Sequence, residues 1–248
     1  MPIRPGAEPW SHDGDSTGIC LVHGFTGSPA SLVPWGRKLA EQGWTVRVPR
    51  LPGHGTRWQE MNLTRWEDWY SEAFRAVDEL RRRCSSVFVM GLSMGGALTL
   101  RIAENEGDTL TGIVLVNPAV HSERPDRHAL PLLRHIVPSF PGISNDINKP
   151  GQDEIAYDKI PLKAAHSMTR LWGAVKTDIG RVRQPLLLFR SSDDHVVEPS
   201  NARWILDNVS STDTREIVLE RSAHVATLDY DAGIIEQESI DFVRRLRS

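Results

Sequence analysis

The stretch Val87 to Leu100, VFVMGLSMGGALTL, limits what this chain can fold into more than any other. An apolar run leads into a glycine, a serine set between glycines, and then a sequence of good helix formers. A continuous apolar run suits a strand covered on both faces. Glycines directly after it mark a turn where the backbone passes too close to its surroundings for a side chain. The expected unit is therefore a buried strand, a sharp turn carrying Ser93, and a helix. In that setting G-x-S-x-G strains the serine backbone and lifts its hydroxyl above the sheet. A chance glycine-rich turn is the competing reading, and only partners for the serine can separate the two.

Further apolar runs lie at 18–22, 44–48, 112–116, 185–189 and 216–220, most with little polar alternation. Between the early ones are helical patterns. Residues 65–83 place Trp66, Trp69, Tyr70, Ala73, Val77 and Leu80 on one stripe. A second helix is expected after Ser31 to Pro34, stopping near Gly43, a residue suited to a left-handed helix end. Strands alternating with helical crossovers predict an α/β domain with a mostly parallel sheet. The rhythm breaks between Pro118 and Gln184, a proline-rich stretch with no clear sheet strand. Long connections of that kind are often lids. The expected organisation is a core of 1–117 and 185–248 with a cap over 118–184.

With 248 residues the chain can bury a sizeable core. Its formal charge of −3 offers no electrostatic reason to expect a nucleic acid partner. Cys20 and Cys84 make neither a disulfide framework nor a metal cluster. No apolar run approaches the length of a membrane span, and the first residues lack a signal-peptide core, so the expectation is a cytoplasmic protein without a transmembrane segment. The stretch SHDGDS, 11–16, lacks a coherent ligand set and reads as a solvated turn.

A serine hydroxyl is a weak nucleophile until a base takes its proton, and the base needs a carboxylate to orient it. His224, in ERSAHVATLD, follows the last apolar run, and RSSDDHVVEP places acids after the preceding one. Ser93, Asp194 and His224 thus stand in the chain order Ser, Asp, His. Asp194 is preferred over Asp193 as the orienting acid, with Asp193 capping the turn. His195 is expected to play a loop role. Acyl transfer also needs donors aimed at the developing oxyanion. The loop LVHGFTGSP, 21–29, offers the backbone N–H of Phe25, and Met94 offers its own at the helix start. Their side chains are candidates to line an acyl pocket. His23 is expected to tie neighbouring loops together, and His54, in PRLPGHGTR, is read as either structural or pocket-adjacent. The segment 129–143 supplies Leu130, Leu132, Leu133, Ile136, Val137, Phe140 and Ile143, enough to line an alkyl groove or to pack the cap's own core. Phe140 and Ile143 are the substrate-binding candidates there.

The set LVHGFTGSP, PRLPGHGT, GLSMGG, SSDDHVV and SAHVATLD, joined by NDINKP and DEIAYDKIPL, resembles the α/β-hydrolase superfamily, and more closely its bacterial monoacylglycerol lipase and carboxylesterase group. The resemblance implies an α/β-hydrolase fold, a mostly parallel central sheet flanked by helices, with a small cap inserted after the sixth core strand. The short N-terminus implies a reduced antiparallel edge. The resemblance further implies serine hydrolysis of a monoacylglycerol ester through an acyl-serine, with no metal or organic cofactor. A broad carboxylesterase for small soluble esters, a serine acyltransferase and a non-catalytic hydrolase-like binding protein are the alternatives. The expected partner is a small lipid or ester, with transient contact at a membrane surface compatible with it and the choice of monomer or dimer open.

Overall fold

The apolar runs become the strands of one sheet in a computed structural model that describes residues 2–125 and 129–247. Strand β1 is Trp10–His12, β2 Thr17–Val22, β3 Thr45–Val48, β4 Ser86–Leu92 and β5 Gly112–Val116. A hairpin of β6 (Ser139–Pro141) and β7 (Lys159–Pro161) follows, then β8 (Leu186–Ser191) and β9 (Thr214–Leu219). The seven-stranded sheet has the order β1-β3-β2-β4-β5-β8-β9, and only β1 is antiparallel to its neighbour.

The helices are α1 (Val33–Ala40), α2 (Trp58–Met61), α3 (Trp66–Arg81), α4 (Met94–Glu106), α5 (Leu130–Leu133), α6 (Leu162–Asp178), α7 (Ser200–Asn208) and α8 (Ala232–Leu246). Successive strand residues point to opposite faces, so the core divides in two. Ile19, Leu21, Phe88, Met90, Val114 and Val116 pack with Trp35 of α1 and Phe242 of α8. Cys20, Val22, Val87, Val89, Ile113 and Leu115 pack with α3, α4, α6 and α7 through Val77, Leu98, Leu171 and Ile205. This is why the strands read as unbroken apolar runs. The α3 stripe buries Trp69, Ala73, Val77 and Leu80, and Gly43 takes its positive φ of +84° three residues beyond α1. Trp35, Trp44 and Trp69 are fully buried. At roughly 25 cal/mol per Å², each removes enough apolar surface from water for about 4–6 kcal/mol of gross stabilisation.

Two details differ from the sequence expectation. The stretch 11–16 is not wholly a turn, because Ser11 and His12 belong to β1, paired with Arg47 and Val46 of β3. Trp10 anchors that edge against Gly36, where a side chain would meet its ring. Among the described residues one antiparallel strand precedes β2, and the insertion that the family scheme puts after a sixth strand follows the fifth in chain order here. Within 118–184, α6 packs on α4 and α3 and carries Leu171 and Val175 into the core. The β6–β7 hairpin and its flanks are tied instead to loops at the C-terminal ends of the strands. Ser28 Oγ donates to Glu154 O, Tyr157 Oη donates to Gly53 O, and Asn62 Nδ2 donates to Pro138 O. Residues 126–128 of this region lie outside the described residues. Among those described, no helix is long and apolar enough to cross a membrane.

Register sets where the chemistry can occur. Leu92, Val116, Phe189 and Ile217 lie in one row across β4, β5, β8 and β9, so the loops that follow these strands open within a few residues of each other. In open α/β sheets this C-terminal edge is the usual ligand site.

Candidate active site

Ser93 stands between β4 and α4 with φ +57° and ψ −119°, a conformation outside the ordinary regions for a side-chain-bearing residue. Such a backbone costs about 1–3 kcal/mol and persists only where its surroundings enforce it. Here the Ser93 N–H donates to Val116 O at 2.9 Å, and the Ala119 N–H donates to Ser93 O at 3.1 Å. The flanking glycines are steric necessities. A Cβ on Gly95 would fall on the carbonyl of Val22, one on Gly91 on the carbonyl of Gly95, and one on Gly96 would sit 2.8 Å from Pro118 Cβ. The strand-to-helix turn thus closes only with glycine at these places.

The loop after β2 is pressed against this turn. A Cβ built on Gly24 would lie 3.3 Å from Ser93 Cβ and 3.8 Å from Ser93 Oγ. His23 holds the loop from beneath. Its Nε2 accepts the Leu51 N–H at 3.2 Å, which leaves the ring proton on Nδ1 to donate to Gly24 O at 3.0 Å. Burial pushes the His23 pKa down to about 4, so the ring stays neutral and that tautomer is kept. His54 stacks edge-on against both His23 and Trp69 and is likewise buried and neutral. The Phe25 N–H makes no hydrogen bond among the described residues. Met94 is the first residue of α4, where helix amides lack partners. The Phe25 ring is half-buried against Trp69. The Met94 side chain is fully buried in the core cluster, so of the two only Phe25 keeps surface that a substrate can cover.

His224 and Asp194 meet beside the turn. Asp194 Oδ2 lies 2.8 Å from His224 Nδ1, and its Oδ1 accepts the N–H groups of Val196 and Val197, each at 2.8 Å. One acid therefore both caps its own loop and orients the imidazole, the capping task expected of Asp193. Asp193 instead accepts a bond from Asn148 Nδ2. Burial pushes the Asp194 carboxyl up, but the facing imidazole and the loop amides outweigh it and hold the pKa below the usual carboxylate value. Burial pushes His224 down, and Asp194, Glu154 and Asp146 together carry it above the ordinary imidazole value. With Nδ1 donating to the acid, Nε2 is left free to accept a proton. No hydrogen bond joins it to Ser93 Oγ among the described residues; such contacts commonly tighten only once substrate is bound. His195 makes no hydrogen bond to either member of this pair among the described residues; its Nδ1 lies 2.9 Å from Asp146 Oδ1.

Three further residues shape the site and were not singled out from the sequence. Asn117, at the end of β5 with φ +44°, donates through Nδ2 to Ser191 Oγ and His224 O, and its Oδ1 accepts the Ser191 N–H. It ties the base loop to the strand beside the elbow. Asparagine is enriched at positive φ, so one just past an apolar strand is a recognisable candidate for it. Asp146 and Glu154, both from the inserted region 118–184, bring two more carboxylates to His224. Their targets lie far along the chain, so no local pattern marks them. The apolar residues of 129–143 are not a packed cap core, because none is buried and Leu132, Ile136, Phe140 and Ile143 are exposed by 70%, 73%, 39% and 52%. Phe140 sits in β6 opposite Ile160, and Ile143 follows two residues after that strand.

Comparison with known proteins places the chain among hydrolases. Residues 16–231 match the Hydrolase_4 family model, described as "Serine aminopeptidase, S33". The chain is 39% identical over 246 residues to the thermostable monoacylglycerol lipase of Bacillus sp. (strain H-257), covering 97% of this chain and 96% of that one. It is 26% identical over 242 residues to a carboxylesterase of Bacillus subtilis (strain 168), covering 96% and 97%. A solved structure from work on LipS and LipT, two metagenome-derived lipolytic enzymes, superposes with a TM-score of 0.95 at 38% identity, over 98% of this chain and all 100% of that one. The monoacylglycerol lipase of Paleococcus ferrophilus shares the fold, with a TM-score of 0.80 at 18% identity over 98% of each chain. With a relative this similar along nearly its whole length, the chain belongs to the α/β-hydrolase superfamily, within its bacterial lipase and esterase family, and is a carboxylic ester hydrolase of the serine type.

Proposed function

We propose that the protein hydrolyses the ester of monoacylglycerols to a fatty acid and glycerol. Ser93 is the nucleophile, His224 the general base and then acid, and Asp194 the acid that orients it. The observation that carries the chemistry is the bond between Asp194 Oδ2 and His224 Nδ1, on loops that open beside a serine held at φ +57°. His224 Nε2 takes the Ser93 proton as Oγ attacks the carbonyl carbon, and the imidazolium is stabilised by Asp194. The N–H groups of Phe25 and Met94 receive the tetrahedral oxyanion. Collapse expels the alcohol, which takes the proton from His224. Water, activated by the same ring, then releases the fatty acid.

The substrate class rests on the similarity to a monoacylglycerol lipase and on the apolar cap segment, whose Phe140 and Ile143 side chains are exposed rather than spent on packing. Residues 118–184 act in this reading as the cap over the acyl site, with transient contact at a membrane surface delivering the lipid. The two cysteines are unpaired, which suits a reducing cytoplasm. The test is fatty-acid release from a monoacylglycerol series of rising chain length, for wild type and Ser93→Ala side by side. Each methylene buried in the acyl site is worth about 0.8 kcal/mol, or roughly fourfold in kcat/KM, until the site is full. A medium- or long-chain optimum, lost in Ser93→Ala, is the expected result. Serine-dependent activity confined to the shortest chains would point to a small-ester carboxylesterase, and undiminished turnover by Ser93→Ala would overturn the nucleophile assignment.

A further inference from the structure

The segment 144–149 crosses from the cap to the loops that carry the acid and the base, and it grips residues of both loops. Asp146 Oδ2 accepts the His224 N–H at 3.1 Å and the His195 N–H at 3.2 Å. Asp146 Oδ1 lies 2.9 Å from His195 Nδ1, and the Asp146 carbonyl accepts the Val225 N–H at 3.0 Å. Asn148 Nδ2 donates to Asp193 Oδ2 at 3.0 Å. The Asn148 and Lys149 amides donate to Asp229, whose Oδ2 also accepts the Ala223 N–H at 2.9 Å. The amides of residues 223, 224 and 225 are thus fixed either by this segment or by the acid that anchors it. The same segment holds the neighbours of Asp194 on each side. The Asp146 side chain is only 13% exposed, so water competes weakly for its bonds.

We propose that Asp146 is a positioning residue for the base: one carboxylate oxygen joins the His224 and His195 amides, so that the base loop and the acid loop are held in one register by a segment of the cap. This rests on the reading of Ser93, Asp194 and His224 as the catalytic set. Asp146 touches none of the reacting atoms, and its effect on catalysis passes through His224.

The charges around the pair make the role separable from simple stapling. His224 faces Asp194 from the acid loop and Glu154 and Asp146 from the cap segment. His195 faces Asp146 from the cap and Asp193 and Asp194 from its own loop. An ionised Asp146 favours the protonated form of His224, whereas a protonated His195 ring shares that carboxylate and offsets part of its field. Removing the carboxylate and removing the ring that shares it should therefore shift the base in opposite directions.

The experiment measures kcat and KM across pH for wild type, Asp146→Asn and His195→Ala, on a small activated ester and on a monoacylglycerol, with Ser93→Ala as the blank. Asp146→Asn is expected to lower kcat about tenfold on both substrates, with KM within about twofold, as for the loss of an interaction that serves the chemical step. Its acid limb should move to lower pH, and that of His195→Ala to higher pH. A folded Asp146→Asn enzyme with unchanged kcat and limb, or one with a defect confined to KM for the long-chain ester, would overturn the proposal. Thermal unfolding shows whether Asp146→Asn has folded. Should it not fold, the His195→Ala limb decides alone, and a limb that stays put or moves down is against the proposal. Activity retained by Ser93→Ala would instead remove the catalytic reading beneath it, so the two failures are distinguishable.

Discussion

Replacing Asn117 with alanine tests how the active-site loops are held together. The side chain is buried, and its amide makes three close bonds: Oδ1 with the Ser191 N–H at 2.7 Å, Nδ2 with His224 O at 2.7 Å, and Nδ2 with Ser191 Oγ at 2.9 Å. Ser191 Oγ retains another acceptor in Ala223 O, so its loss is partly covered. The Ser191 amide and the His224 carbonyl are left stranded, at about 1–3 kcal/mol for each buried group. Alanine at φ +44° adds about 1–2 kcal/mol of backbone strain. Allowing for non-additivity among neighbours, the expected loss is about 3–6 kcal/mol. For a chain of this length that corresponds to a fall in Tm of roughly 6–24 °C. Urea unfolding measures the loss directly, and kcat on a small activated ester reports whether the base has moved. Asn117→Gly relieves the strain but strands the same two groups, so it should stay within about 1–2 kcal/mol of the alanine variant. A loss below about 1 kcal/mol in Asn117→Ala, or a glycine variant as stable as wild type, would refute the hydrogen-bond account.

Two other outcomes follow from buried ionisable groups. Glu104 is buried on α4, with Oε2 on Arg101 and Oε1 without a hydrogen-bond partner among the described residues, and burial pushes its pKa up to about 8 against the pull of Arg101. Between the ordinary glutamate value and about 8 the folded state binds more protons than the unfolded one, so this group costs stability as pH rises. Glu104→Gln should therefore gain on wild type between pH 5 and pH 8.5 in urea unfolding, and a difference that is constant or shrinks would contradict this. The acid limb of kcat/KM should lie above 6.5, because the surrounding carboxylates raise His224 and the base must be neutral to act. Asp194, held below 3.8, stays ionised throughout that limb, and its contribution to stability is lost only as pH falls through its own lowered pKa. A limb at or below 6.5 would mean that Asp194, Glu154 and Asp146 do not face the ring as described.

The six parallel strands and the elbow were legible because each is written in a few adjacent residues. An apolar run buried on both faces is visible without partners, and Gly91, Gly95 and Gly96 announce a turn that only glycine can close. That Asp194 rather than Asp193 meets His224 was also within reach, but the reason was not: the capping bonds to Val196 and Val197 come from the same carboxylate. Strand β1 was missed because it is three residues long and pairs with β3, a strand far along the chain. Helix α6 was hidden in a proline-rich region that reads as one excursion, although its own Leu171 and Val175 belong to the core. Asn117 and Asp146 act on loops 49 to 107 residues away in the chain, and long-range polar bonds leave no period to detect. The exposure of Leu132 and Ile136 was equally illegible, since a groove and a core draw on the same side chains.

The central claim is that the ester carbon passes through Ser93. Mixing the enzyme with a slowly deacylated ester, quenching with acid within the first turnover and mapping the peptides by mass spectrometry tests it most directly. One added acyl group is expected, on the peptide that carries Ser93, absent in Ser93→Ala and formed much more slowly in Asp194→Asn. An acyl group on another residue, or product release with no acylated enzyme at any time, would contradict it.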